Sequence, residues 1–173
     1  MREDGLYDLL KRIAALKRAP KTTRGRYPAG ESPYKPVLLL TVLRRIQQGK
    51  NPYALNRIDF DSCTRDFGHV YGRLFGNPEE MMPKVTQAFW YLGSGVPKIW
   101  SFVPKSGYEE NLDQLMKDHA QIKSPGKLDN HIEYAYFAEE DFRLVNDGDV
   151  QEALISFLIS RHFADPRAEI ALL

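Results

Sequence analysis

The sequence predicts an α+β domain, with helices packed around a small antiparallel β-sheet in one compact unit. Three observations carry that prediction: several stretches repeat apolar residues at helical spacing, two short runs are rich in aromatic and β-branched residues, and one further run alternates with period two. With 173 residues, 43% of them hydrophobic, the chain is sized for a single domain over 1–173 with a substantial core. Two domains would each be thin.

Leu6, Leu9, Leu10, Ile13 and Leu16 keep helical spacing, with Lys11, Arg12, Lys17 and Arg18 on or near the opposite face and the C-terminal end. From Ala19 to Pro33 the pattern stops in a basic loop rich in Pro, Gly, Thr and Ser, which carries Lys21, Arg24 and Arg26. Ser32 to Ile46, SPYKPVLLLTVLRRI, then joins that loop to the most apolar segment of the chain. Pro36 fits only the first turn of a helix and pushes Lys35 out of the α region, so Lys35 is expected as cap and Pro36 as first residue. The apolar run that follows covers more than one helical face and calls for burial on several sides. Beside Tyr34 and Lys35, the free N–H groups of the first turn, the positive end of the helix dipole and a lysine make a ready phosphate site.

Gly49 and Asn51-Pro52 mark a stop, and a short extended piece near Arg57 to Phe60 leads to an expected N-cap at Asp61. Phe67, Val70, Tyr71 and Leu74 give the face of a third helix, ended by Gly76 and Asn77-Pro78. Ala88 to Leu92 and Ile99 to Val103 read as a β-hairpin around the turn Gly93 to Lys98. A helix around Leu112, Leu115 and Met116 within residues 109–122 and a loop from Lys123 to Asn130 come next. His131 to Phe137 reads as a strand with Ile132, Tyr134 and Tyr136 on one face. A last helix is expected from Asp149, with Glu152 at the capping-box position and Val150, Leu154, Phe157 and Leu158 buried.

The N-terminus, MREDGLYDLL, is too charged for a signal peptide, and no stretch approaches the roughly 18 apolar residues of a membrane span, so a soluble, cytoplasmic chain without a membrane partner is expected. The single cysteine, Cys63, excludes an internal disulfide and reads as a small buried hydrophobe. A net charge of +1 conceals a segregation: residues 1–57 hold 13 Lys and Arg against 4 Asp and Glu, and residues 58–173 hold 11 against 19. Such asymmetry points to a polyanion-binding side.

No phosphate-binding glycine loop or dinucleotide fingerprint is present, so no cofactor is expected. His69, His119, His131 and His162 are scattered, with no pair at zinc-site spacing. Asp59 and Asp61 read as strand-end and capping residues that lack a third carboxylate, and no local nucleophile motif occurs. No catalytic residue is assigned, and the chain reads as a binding protein rather than an enzyme.

Three blocks, SPYKPVLLLTVL (Ser32 to Leu43) after the basic loop, AFWYL with a turn and IW (Ala88 to Trp100), and YFAEEDFRLV with a last helix ending SRHF (Tyr136 to Phe163), resemble the sulfur-binding domain of modification-dependent restriction endonucleases. That family shows a proline, a histidine or similar residue, a basic residue and a leucine run, then a Pro-Phe-Trp strand with a turn ending in Trp, then a closing helix. The similarity covers nearly the whole chain. It implies binding of double-stranded DNA in which sulfur replaces a non-bridging phosphate oxygen, with a separate histidine-asparagine-histidine nuclease doing the cutting. No such nuclease follows, which fits a stand-alone reader or a domain separated from its nuclease.

By this resemblance Tyr34 and Lys35 hold the modified phosphate, while Gln87, Ala88 and Tyr91 form the pocket that faces sulfur. Tyr34 stands where a histidine is common, and Gln87-Ala88 where a Tyr-Pro pair is; Gln87 offers a donor to oxygen. Arg24, Arg26 and Lys21 are further candidates for the DNA phosphates, and Lys98 and Ser94 for base or groove contacts. Sulfur is larger than oxygen and a poorer acceptor, so a small apolar pocket tolerates it. Oxygen there loses its water, at about 1 to 3 kcal/mol or roughly 5- to 150-fold in affinity. Two rival readings are an interaction module of a restriction system that docks through the acidic C-terminal half, and a small metal-dependent nuclease using Asp59, Asp61 or Glu139, Glu140 and Asp141.

Overall fold

The computed structural model describes residues 2–16, 34–75 and 81–163, and among them eight α-helices surround a two-stranded antiparallel sheet. In chain order these are α1 (Arg2–Ala14), α2 (Tyr34–Gln47), a 3-10 turn (Tyr53–Leu55), α3 (Phe60–Phe75), α4 (Met81–Ser94), β1 (Ser101–Pro104), α5 (Glu109–Lys117), α6 (Pro125–His131), β2 (Ile132–Tyr136), α7 (Glu139–Val145) and α8 (Gly148–His162). The α+β class holds. None of the described helices is long and apolar enough to cross a membrane.

Helix α2 is the hub, packed against α3, α4 and α8. Val37, Leu38, Leu40 and Val42 have no exposed surface, and Leu39, Leu43 and Ile46 have almost none, as an apolar run wider than one face requires. The buried hydroxyl of Thr41 donates to the Val37 carbonyl one turn back at 2.8 Å. Arg44 and Arg45 occupy the last turn, where cations suit the dipole, and Gly49 at φ +68° takes the left-handed backbone just beyond. Helix α1 lays Leu9 and Ile13 against the same core beside α7 and α8. His162 of α8 fastens it, with Nε2 donating to the Ile13 carbonyl at 2.7 Å.

The expected hairpin is corrected: Ala88 to Leu92 is not a strand but part of α4. Val85, Ala88, Phe89 and Leu92 are all buried at helical spacing, and this period overrides the strand preference of the aromatics. Both tryptophans nearby are satisfied, Trp90 Nε1 donating to the Ala120 carbonyl at 2.9 Å and Trp100 Nε1 to that of Phe89 at 3.2 Å. The second aromatic run supplies β1, whose partner is β2, with Phe102 opposite Ala135 and Val103 opposite Tyr134.

Other boundaries shift for local reasons. Helix α3 starts at Phe60, because Asp59 rather than Asp61 caps it, its Oδ2 accepting from Ser62 N at 3.0 Å and Ser62 Oγ at 2.7 Å. Helix α8 starts at Gly148 on an Asp147 cap, not at Asp149 with a Glu152 box. Its buried face is Gln151, Leu154, Ile155, Leu158 and His162, with Val150 and Phe157 at the margin. The expected loop Lys123 to Asn130 holds the short helix α6, capped by Ser124. In β2 the expected single face is broken, since the bulge between Val103 and Pro104 turns Ile132 inward with Ala135 while Tyr136 stays exposed. The extended piece at residues 57–59 survives as one bridge, Ile58 to Ala135, beside which the Asn56 side chain pairs both backbone groups of Phe137.

Candidate functional site

The first turn of α2 is lined on one side by aromatic rings. The Tyr34 ring centroid is 6.2 Å from that of Tyr71 on α3, and Tyr71 stacks on Phe67 at 5.4 Å. Lys84, near the start of α4, lies over both tyrosines, its Nζ 4.9 Å from the Tyr34 centroid and 5.3 Å from that of Tyr71. It also donates to Tyr71 Oη at 3.2 Å. Lys84 is only 8% exposed, so the ring faces act on a largely desolvated ammonium, where each such contact is worth up to about 2 kcal/mol.

Tyr34 was expected beside a surface phosphate, and its side chain instead turns into the core at 6% exposure. Its hydroxyl has no hydrogen-bond partner. Lys35, the next residue, is half-buried. Arg24, Arg26 and Lys21 lie outside the described residues.

The proposed pocket residues sit on a helix, not on a hairpin. Lys84, Gln87, Ala88, Tyr91 and Ser94 recur at three- and four-residue steps and form one stripe along α4. Ala88 is covered by its neighbours, whereas Gln87, Tyr91 and Ser94 are partly exposed. Partial burial raises the Tyr91 phenol above its usual range, leaving it a neutral hydrogen-bonding group at physiological pH. From Lys84 to Ser94 the stripe runs about 15 Å along the axis, comparable with the width of a DNA major groove. Lys98 follows in an exposed loop, where its carbonyl accepts from Arg12 Nη1 at 3.2 Å. The fold therefore joins the α2 start to the N-terminal end of the α4 stripe through Lys84, with Ser94 and Lys98 at the other end.

No family model and no curated protein matches the chain.

Three of the five carboxylates considered for a nuclease are occupied locally. Asp141 pairs with Arg12, Glu139 with Arg143, and Asp59 with Ser62. Among the described residues no three His, Cys, Asp or Glu converge to hold a metal. Cys63 is fully buried beside Tyr53, and burial pushes its thiol far up, away from a nucleophilic thiolate. Sequence reasoning missed Lys84 and Tyr71. A lysine four residues before Ala88, inside an apolar helical period, was the available signal once 81–94 is read as a helix.

Proposed function

We propose that this domain binds double-stranded DNA and recognises a phosphorothioate linkage, serving as a reader in a restriction or modification-sensing system while a separate nuclease cuts. One juxtaposition carries the reading: Lys84 Nζ, 4.9 Å from the Tyr34 ring, ties the beginning of α2 to the helix that bears Gln87, Ala88 and Tyr91. A helix beginning attracts an anion, and the α4 stripe offers two partly exposed neutral polar side chains, Gln87 and Tyr91, beside the buried Ala88. The anion is held at one end, and the neighbouring stripe distinguishes sulfur from oxygen.

The test is a gel shift with otherwise identical duplexes, with and without one sulfur, at about 50 and 200 mM salt. The sulfur duplex is expected to bind roughly 5- to 150-fold more tightly, and both are expected to weaken steeply with salt. Equal binding removes sulfur recognition, and no binding of either duplex removes the DNA reading altogether.

A further inference from the structure

Helix α4 ends in Gly93 and Ser94, and the chain turns back through Gly95 to Lys98 in a loop pinned at both ends. Gly95 N donates to the Tyr91 carbonyl at 2.9 Å, Ile99 N and Trp100 N donate to that of Leu92 at 2.8 and 3.2 Å, and Arg12 Nη1 holds the Lys98 carbonyl at 3.2 Å. Two glycines allow so close a turn: a Cβ would lie 2.3 Å from the Phe102 ring at Gly93 and 2.7 Å from the Tyr91 carbonyl oxygen at Gly95. Pro97 fixes its own φ between these ties. At the tip of this constrained loop Val96 keeps 89% of its surface exposed, against 70% for Leu55 and 64% for Tyr7. We propose that Val96 is a specificity-determining residue that reads the C5-methyl group of a pyrimidine in the major groove of DNA. This deepens the function proposed above and rests on it, since the contact needs a duplex lying along the α4 stripe to its Ser94 end.

An isopropyl group so far exposed contributes almost nothing to the core. Being β-branched, it holds few rotamers and gives up little entropy when it meets a surface, and the pinned backbone gives up little more. Its loop neighbours are polar: Ser94, partly exposed, precedes it, and Lys98, exposed, follows. A hydroxyl suited to a base edge and a cation suited to a phosphate thus bracket the valine. Base edges in the major groove are otherwise rows of donors and acceptors, and the apolar feature among them is the C5-methyl of a pyrimidine. That methyl is the complement of an apolar side chain set between two polar ones. Thymine carries it, as does a cytosine methylated at C5, whereas uracil and ordinary cytosine lack it.

The probes are duplexes carrying one sulfur, in which each thymine in turn is replaced by deoxyuridine and each cytosine by 5-methylcytosine. They are titrated against the wild-type chain, Val96→Ala and Val96→Thr, the last keeping the shape of the side chain while placing a hydroxyl at the contact. At one position the wild-type chain is expected to lose roughly fourfold in affinity when the methyl is removed, or to gain as much when it is added, the worth of one buried methyl. Loss in the deoxyuridine series identifies thymine as the source, and gain in the 5-methylcytosine series identifies methylated cytosine. Both variants are expected to flatten that dependence, and because the side chain lies outside the core they should melt with the wild type. Wild-type affinity indifferent to every methyl added or removed, or a dependence that Val96→Ala keeps in full, overturns the contact and leaves the DNA reading standing. A wild-type chain that binds no duplex defeats that reading, and the contact with it.

Discussion

Arg12 on α1 and Asp141 on α7 are joined at 2.7 Å, and the same guanidinium reaches Asp8 at 2.9 Å and the Lys98 carbonyl at 3.2 Å. One side chain therefore ties the first helix to the seventh and to the loop after α4. Arg12→Ala leaves the mostly buried Asp141 carboxylate without this partner, which should cost about 1 to 3 kcal/mol. At roughly 2 to 4 °C per kcal/mol for a chain of this size, the melting temperature should fall by several degrees. An unchanged melting temperature would show that the pair adds nothing net.

Gly93 is tightly enclosed: a Cβ there would overlap the Phe102 ring, which is itself stacked on Trp90 at 5.4 Å with the planes 2° apart. Because the ring cannot easily move away, Gly93→Ala should destabilise by about 1 to 3 kcal/mol in urea unfolding. Gly72 in α3 has open space around it, so Gly72→Ala should instead stabilise by about 0.5 to 1 kcal/mol. Equal effects at the two positions would contradict the described packing.

Asp59 and Asp61 separate a cap from a neighbour. Asp59→Ala removes the acceptor for both Ser62 N and Ser62 Oγ and should cost about 1 kcal/mol. Asp61 is exposed, and Asp61→Ala should cost at most about 0.5 kcal/mol. Chemical denaturation of the two variants should show the larger loss for Asp59.

The helices with a clean apolar period were legible, as Leu9 and Ile13 in α1 and Phe67, Val70 and Tyr71 in α3 are all buried. The centrality of α2 was equally legible from the width of its apolar run. What misled was composition over period: Ala88 to Leu92 has strand-forming residues at helical spacing, and only continuation back to Met81 reveals the period. The caps were off by two residues because Asp59 and Asp61, or Asp147 and Asp149, are chemically equal until the backbone selects one. At the candidate site Gln87, Ala88 and Tyr91 were expected on a strand, and the structure carries them on a helix. Lys84 escaped notice because a lone lysine reads as surface, and only three-dimensional packing brings Tyr34 and Tyr71 around it.

Lys35 tests the beginning of α2 as a point of backbone attraction. Lys35→Ala should weaken binding of modified and unmodified duplexes alike and lower the slope of log affinity against log salt by about one. Titration at several salt concentrations reads both effects. Unchanged affinity and slope would dismiss a phosphate contact there.

Gln87 tests discrimination separately from affinity. It is partly exposed on the α4 stripe next to Ala88, and its amide can donate to a phosphate oxygen but gains less from sulfur, the poorer acceptor. Gln87→Leu removes that donor at nearly constant volume. Binding of the unmodified duplex should therefore fall by about 2- to 10-fold, the worth of one neutral hydrogen bond, while the sulfur duplex changes little. The ratio of the two affinities, measured in one competition experiment, should rise accordingly. A ratio that stays constant while both affinities fall would make Gln87 a general contact and shift discrimination to Tyr91, whose neutral phenol lies one turn further along the same face.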